Sequence, residues 1–210
     1  MSIQFDKVQP KNKAQLKSLI DYAFKHDIYD LNFIDTSKIT DMSWLFENVK
    51  HNFDISKWDV SNVANMKYMF ACCEKFNCDL SNWDVSNVTN MSHMFFYCEN
   101  FDINCFKSWD VSTVENTSYM FYNCKNFNCD LSNWDVSNVT DMTSMFAFCN
   151  KFDCDLSNWD VSNVTSMYFM FGCCKQFNCD LSHWNTSKIK NMKCMFKGCN
   201  RLTIPNWYKK

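Results

Sequence analysis

Residues 80–98 read "LSNWDVSNVTNMSHMFFYC", and the sentence returns at 131–149 ("LSNWDVSNVTDMTSMFAFC") and at 156–174 ("LSNWDVSNVTSMYFMFGCC"). Trp58, Trp83, Trp109, Trp134, Trp159 and Trp184 stand 25, 26, 25, 25 and 25 residues apart. Ile34 takes the same place in an earlier copy, and Trp207 closes a shortened one, "LTIPNW". A fixed period of this size means stacked units, none of which can bury its apolar face alone.

The spacing inside one copy gives an expectation for its local structure. Alternation with period two sends Trp83 and Val85 to one side and Asp84 to the other, as in a short strand. Met91, Met94, Phe95 and Cys98 follow at i, i+3, i+4 and i+7, the spacing of one helix face. The residue before each such segment is Asp41, Asn65, Asn90, Asn116, Asp141, Ser166 or Asn191. All are good N-cap residues. The expected fold is therefore α/β: a solenoid of seven ~25-residue strand–turn–short-helix rungs with a parallel sheet on one face.

The ends differ. In "NKAQLKSLIDYAFKHDI", Leu16, Leu19, Ile20, Ala23 and Phe24 make one apolar face, and Asn12 with Gln15 fits a capping box. Residues 1–33 are expected to form an N-terminal cap with an amphipathic helix at about 13–26. Residues 34–207 form the repeats, starting near 34, 58, 83, 109, 134, 159 and 184, and 208–210 are a tail. The insertion near "FDINCFKSW" is expected to bulge one return loop, and Pro205 discourages further strand pairing.

These residues carry a resemblance. The order Trp-x-Val-Ser-x-Val-x-x-Met-x-x-Met-Phe-x-x-Cys over residues 34–207 resembles the BspA-type leucine-rich repeat, nearest to the subfamily of lipoproteins of wall-less bacteria and uncharacterised giant-virus proteins. The resemblance implies a leucine-rich-repeat solenoid. For function it implies adhesion and protein binding among the surface members.

Composition narrows the function classes. With 21 basic and 23 acidic residues the formal charge is -2, and Arg201 is the sole arginine. Neither nucleic acid nor an anionic membrane is favoured as a partner. Two glycines leave no glycine-rich phosphate loop. The start, "MSIQFDKVQPKNK", has no apolar signal core, and no stretch approaches ~20 apolar residues. A cytoplasmic location is expected, or host cytoplasm or a virion if the chain is viral.

The Trp and Met-Phe columns read as core, each buried side chain contributing roughly 1.5–3 kcal/mol before entropy. Cys73, Cys98, Cys124, Cys149, Cys174 and Cys199 recur on the same face, and Cys78, Cys129, Cys154 and Cys179 form a second series. Cys72, Cys105, Cys173 and Cys194 fall outside both. Buried thiols acting as small hydrophobes are the first reading, with inter-rung disulfides or zinc as alternatives. One member each of Cys72-Cys73 and Cys173-Cys174 should point outward. The histidines fall at different phases and no Ser-His-Asp set is singled out, so no enzyme is expected, and no cofactor or metal.

Two faces are candidates for a partner. Asp59, Asp84, Asp110, Asp135 and Asp160 form an outward acidic ladder, offset by local capping, by Lys57 or Lys107, by a cation or by a basic partner. Tyr68, Phe96, Tyr97, Tyr119, Tyr122, Phe148, Tyr168 and Phe169 vary between copies on the outer side of the expected helices, and of these Phe96, Tyr97, Tyr122, Phe148 and Phe169 are taken as the candidate contact patch. The expected function is a monomeric, non-enzymatic repeat scaffold binding an unknown protein. The alternatives are a zinc or redox module using the cysteine columns, and a self-associating structural protein.

Overall fold

The computed structural model describes residues 6–99 and 106–209. At the start, α1 spans Lys13–Lys25, with the Asn12 side chain accepting from the Gln15 amide at 3.0 Å. Gln15 Oε1 reaches back to the Lys11 amide at 2.8 Å. The helix ends in a Schellman motif: Asp27 turns left-handed at φ 57, Ile28 donates to the Ala23 carbonyl and Asp27 to that of Phe24. Leu16, Ile20 and Ala23 are fully buried, and Lys13 pairs with Asp41 of the first repeat at 3.2 Å.

From there the chain winds through repeats that stack in register. Single-residue parallel bridges run Asp41–Asn65–Asn90–Asn116–Asp141–Ser166–Asn191. One unit shows the interior: Leu131, Trp134, Val136, Val139, Met142, Met145, Phe146, Cys149, Phe152 and Cys154 are all buried. The Phe46, Phe70, Phe95, Phe121, Phe146, Phe171 and Phe196 rings stack face to face, with centroids 5.3–5.9 Å apart and planes within 12°. A second phenylalanine column lies against the first, as in Phe121–Phe127 at 4.1 Å and Phe146–Phe152 at 4.2 Å.

The strand–helix rung is overturned. Among the described residues the only helices are α1 and a 3-10 turn at Phe106–Ser108, and there is no sheet, only isolated bridges. The Met-x-x-Met-Phe segment is a run of tandem turns. The amides of Met94, Phe96 and Cys98 each bond to the carbonyl three residues back, at 3.0–3.2 Å. The amides between them, on Met91, His93, Phe95 and Tyr97, bond to Asn116, Ser118, Met120 and Tyr122 of the next repeat at 2.8–3.0 Å. A helix would need those amides for bonds to residue i−4. His93 and Tyr97 also take φ of 58 and 59, as the third residue of a type II turn requires and a helix forbids.

The expected N-caps keep half of their role. Asp41, Asn65, Asn90, Asn116, Asp141 and Asn191 accept from the amide two residues on, at 2.8–3.2 Å, but a turn follows rather than a helix.

The expected strand is also a pair of turns. Trp83 and Val85 are buried and Asp84 exposed. Yet Trp83 bonds back to Leu80, and Val88 to Val85. Side chains join this wall to the preceding repeat. In the column from Trp58 to Trp207 each indole N–H donates to a carbonyl one repeat earlier, as Trp83 to Ile55 at 3.3 Å and Trp159 to Leu131 at 3.0 Å. Asn62, Asn87, Asn138 and Asn163 do the same through Nδ2 to Ser37, Ser61, Ser112 and Ser137 at 2.6–2.9 Å. Those carbonyls are bonded without a strand ladder.

Most of the insertion lies outside the described residues. Beyond it, Phe106 stands where Leu80 and Leu131 stand in neighbouring copies: its carbonyl accepts the Trp134 indole N–H at 3.0 Å, and its buried ring meets Trp109 edge-on at 4.7 Å.

Candidate functional site: thiol columns and two exposed faces

The first cysteine series is buried, and each thiol donates to a carbonyl of the preceding repeat. Cys73 reaches Phe46, Cys98 Phe70, Cys124 Phe95, Cys149 Phe121, Cys174 Phe146 and Cys199 Phe171, all at 2.8–3.0 Å. Burial pushes the Cys73 and Cys199 thiols up to about 12, and those of Cys98, Cys124, Cys149 and Cys174 far above their ordinary value.

In the second series, Cys154 and Cys179 accept the Leu131 and Leu156 amides at 3.2 Å. Every cysteine among the described residues is a free thiol; Cys105 lies outside them. Cys72 and Cys173 are the partly exposed members of their pairs, while Cys73 and Cys174 are buried. No group of three or more His, Cys, Asp or Glu side chains converges among the described residues.

A labelling experiment tests this division. Because the thiolate is the nucleophile, iodoacetamide on the native protein at neutral pH should modify Cys72, Cys173 and Cys194 about two orders of magnitude faster than Cys98, Cys124, Cys149 and Cys174. Peptide mapping by mass spectrometry reads the order, and early labelling of Cys124 would contradict it.

The acidic ladder is exposed, and turn geometry satisfies part of its charge. Asp59, Asp84, Asp110, Asp135 and Asp160 each accept, through Oδ1, from the serine amide two residues on, at 3.0–3.1 Å. The Ser61 and Ser86 hydroxyls add bonds of 2.6 Å to Asp59 and Asp84. The Ser112 hydroxyl and amide hold Asp110 below the usual carboxylate range, and the Ser162 amide and hydroxyl do the same for Asp160. Lys107 pairs with Asp130, at 3.9 Å.

Asp130 belongs to a second acidic column that sequence reasoning missed. Asp54, Asp79, Asp130, Asp155 and Asp180 bond the amides of Ser56, Ser81, Ser132, Ser157 and Ser182. The signal was Asp-x-Ser occurring twice per copy, five residues apart.

The five aromatic candidates come together, on the outer edge of the tandem turns rather than on helices. Phe96 lies 4.7 Å from Tyr97 and 5.1 Å from Tyr122, and Tyr97 lies 5.6 Å from Tyr122. Tyr122 meets Phe148 at 5.3 Å, and Phe148 meets Phe169 at 5.7 Å. A second file joins them: Trp44 stacks on Tyr68 at 3.8 Å, Tyr68 on His93 at 4.1 Å and His93 on Tyr119 at 4.6 Å. Tyr119 then meets Tyr122 at 5.6 Å. Trp44 is 44% exposed, Tyr97 40% and Tyr168 38%. Sequence reasoning missed Trp44 and His93. Both stand three residues after the bridging Asp or Asn, in the same column as Tyr68 and Tyr119.

A family model described as "Mycoplasma protein of unknown function, DUF285" matches residues 14–128 and again 98–207. The chain belongs to this family. Its match twice over accords with the repeats seen in the stack, and the family description assigns no activity. No curated protein and no solved structure matches the chain. Among the described residues, no helix is long and apolar enough to cross a membrane.

Proposed function

We propose that this DUF285 chain is a non-enzymatic scaffold that binds a protein partner through the aromatic ridge, and that it belongs to the BspA-like branch of mycoplasma-type repeats. The observation that carries this reading is the ring-to-ring path from Trp44 to Phe169, which runs along the stack and remains partly open to solvent. Aromatic side chains offer large contact area with few rotatable bonds, so exposed ones held rigid by stacking favour a partner. The stack also holds its surface in shape, which limits the ordering cost on association. The thiols serve packing and inter-repeat bonding in this reading, not redox or zinc chemistry, and the protomer acts as a monomer.

The test is retention of a stoichiometric partner from extracts of the protein's own cells. Wild type should retain it, and Tyr97→Ala with Tyr122→Ala should lose about 2 kcal/mol of affinity, roughly thirtyfold. Thermal melts confirm that the variant stays folded. If Asp84→Asn, Asp110→Asn and Asp135→Asn together release the partner while the aromatic variant does not, the acidic wall is the interface and the proposal falls.

A further inference from the structure

From Phe96 to Phe169 the aromatic ridge advances by one step per repeat. Phe96 lies 5.1 Å and Tyr97 5.6 Å from Tyr122, Tyr122 lies 5.3 Å from Phe148, and Phe148 lies 5.7 Å from Phe169. The backbone beneath these rings has no spare donors. The amides of Tyr97, Asn123 and Phe148 bond the next repeat, and those of Phe96, Tyr122 and Ala147 bond back within their turns.

The two flanks of the ridge differ in charge. On one side each repeat turns back through an exposed edge that holds Lys125, Lys151 and Lys175. Asn123 fills the left-handed place in its repeat that Tyr97 and Phe148 fill in theirs. It shares the Glu99 carboxylate with Lys125, at 2.9 and 2.8 Å, which sets this edge beside the rings. Lys151 and Lys175 form no ion pair among the described residues. On the other flank stand Glu115, exposed, and Asp141, half-buried.

Taking the ridge as the contact surface, as proposed above, we infer that the partner element seated on it is an amphipathic α-helix lying along the stack. Its apolar stripe meets the rings, and its carboxylates face the edge of Lys125, Lys151 and Lys175. The spacing selects a helix. An α-helix rises about 5.4 Å per turn, so each turn meets one step of the ridge over all four repeats. An extended segment repeats every ~6.7 Å and a polyproline helix every ~9.3 Å. Both fall out of step with rings 5.1–5.7 Å apart. Strand addition is closed as well, because the amides are already engaged. The lysines draw carboxylates to one side of the helix, and Glu115 and Asp141 repel them from the other.

The probe is a fluorescein-labelled, acetylated and amidated peptide of about five helical turns. It carries leucine at every third or fourth position, glutamate along one flank, and glutamine and alanine elsewhere. One control replaces its glutamates with lysine, and a second breaks the helix with two prolines. Fluorescence anisotropy with the full chain should show saturable binding of the glutamate peptide alone. Far-UV circular dichroism of the mixture should exceed the sum of its parts in helix. Affinity should fall about tenfold or more in Lys151→Glu/Lys175→Glu, and likewise in Tyr97→Ala/Tyr122→Ala. It should stay unchanged in Lys38→Glu/Lys57→Glu, whose lysines stand with the acidic ladder. Thermal melts confirm that each variant is folded.

The inference is overturned if the glutamate peptide does not bind, or if either control binds as well. Peptide binding that ignores Tyr97→Ala/Tyr122→Ala overturns it too. If a cellular partner is retained through Tyr97 and Tyr122 while the helical peptide fails to bind, the ridge stands as the contact surface and the helix falls. If the acidic wall proves to hold the cellular partner, the scaffold proposal falls, and the peptide assay still reads the ridge by itself.

Discussion

Replacing Phe121 with alanine is expected to lower stability by about 3–5 kcal/mol. Its fully buried ring is stacked between Phe95 at 5.7 Å and Phe146 at 5.8 Å, and lies 4.1 Å from Phe127. The neighbouring rings are fixed by their own stacking and by backbone bonds on both sides, so little can move into the void. Total stabilities of such domains are about 5–15 kcal/mol, so a loss of this size is a third or more of a typical value. Urea unfolding followed by tryptophan fluorescence reads it directly. Tyr97→Ala, on the exposed ridge, should cost less than about 1 kcal/mol in the same assay. A Phe121→Ala loss under about 1 kcal/mol would show that the phenylalanine column is not the main inter-repeat bond.

What the sequence disclosed follows from what periodicity measures. It reports which side chains turn inward, and Trp83, Val85, Val88, Met91, Met94, Phe95 and Cys98 are indeed buried. It does not report how the backbone carries them there. Two consecutive four-residue turns, 91–94 and 95–98, present their first and last residues to the core. That produces i, i+3, i+4 and i+7, the same offsets as a helix face. The Asx oxygen at Asn90 also fits both readings, since it accepts a nearby amide whether a helix or a turn follows.

The discriminating feature is left-handed backbone twice per repeat, and residue types concealed it. Trp44, Asn48, Tyr68, Cys72, His93 and Tyr97 all carry φ between 57 and 63. Glycine would have announced such positions, but only Gly198, at φ 82, does so. A non-glycine residue there costs roughly 1–2 kcal/mol. The conformation persists because bonds to the next repeat and bonds within the turn fix it together. The strand was misread for a related reason. Alternation at Trp83–Val85 is real, but Trp and Asn side chains hold the carbonyls that a sheet would have used.

The candidate faces were legible only in part. Residues that vary between copies point outward, which exposed Phe96, Tyr97, Tyr122, Phe148 and Phe169 as a group. Tyr68 and Tyr119 vary in the same way, but their joining with Trp44 and His93 in one file depends on left-handed residues stacking repeat over repeat, and no propensity argument foresees that.

His93 gives the second large effect, and its sign follows from its surroundings. The ring is sandwiched between Tyr68 and Tyr119, and its Nδ1 is buried with no hydrogen-bond partner. Burial foremost, with the charge of Lys67 adding to it and Asp141 opposing, lowers its pKa from 6.5 to about 4. The folded protein therefore keeps His93 neutral at pH 5, while the unfolded chain protonates it below about 6.5. Between those values the unfolded state binds more protons, so stability falls as pH drops from about 6.5 to 4, and for this half-buried group the loss is about 2 kcal/mol. His93→Phe should remove that pH-dependent component. It should also be more stable at pH 7 by about 1 kcal/mol, because an unsatisfied buried nitrogen disappears. The backbone admits the change, since Phe169 holds the equivalent place at φ 53. Carboxylates held low by their serines, such as Asp110 and Asp160, lose their contribution only at more acidic pH and are common to both proteins. Urea midpoints for wild type and variant at pH 7, 6, 5 and 4.5 should diverge steadily as pH falls. Parallel curves would mean that His93 takes up its proton in the folded state as readily as in the unfolded one, and that the tyrosine stack opens to admit it.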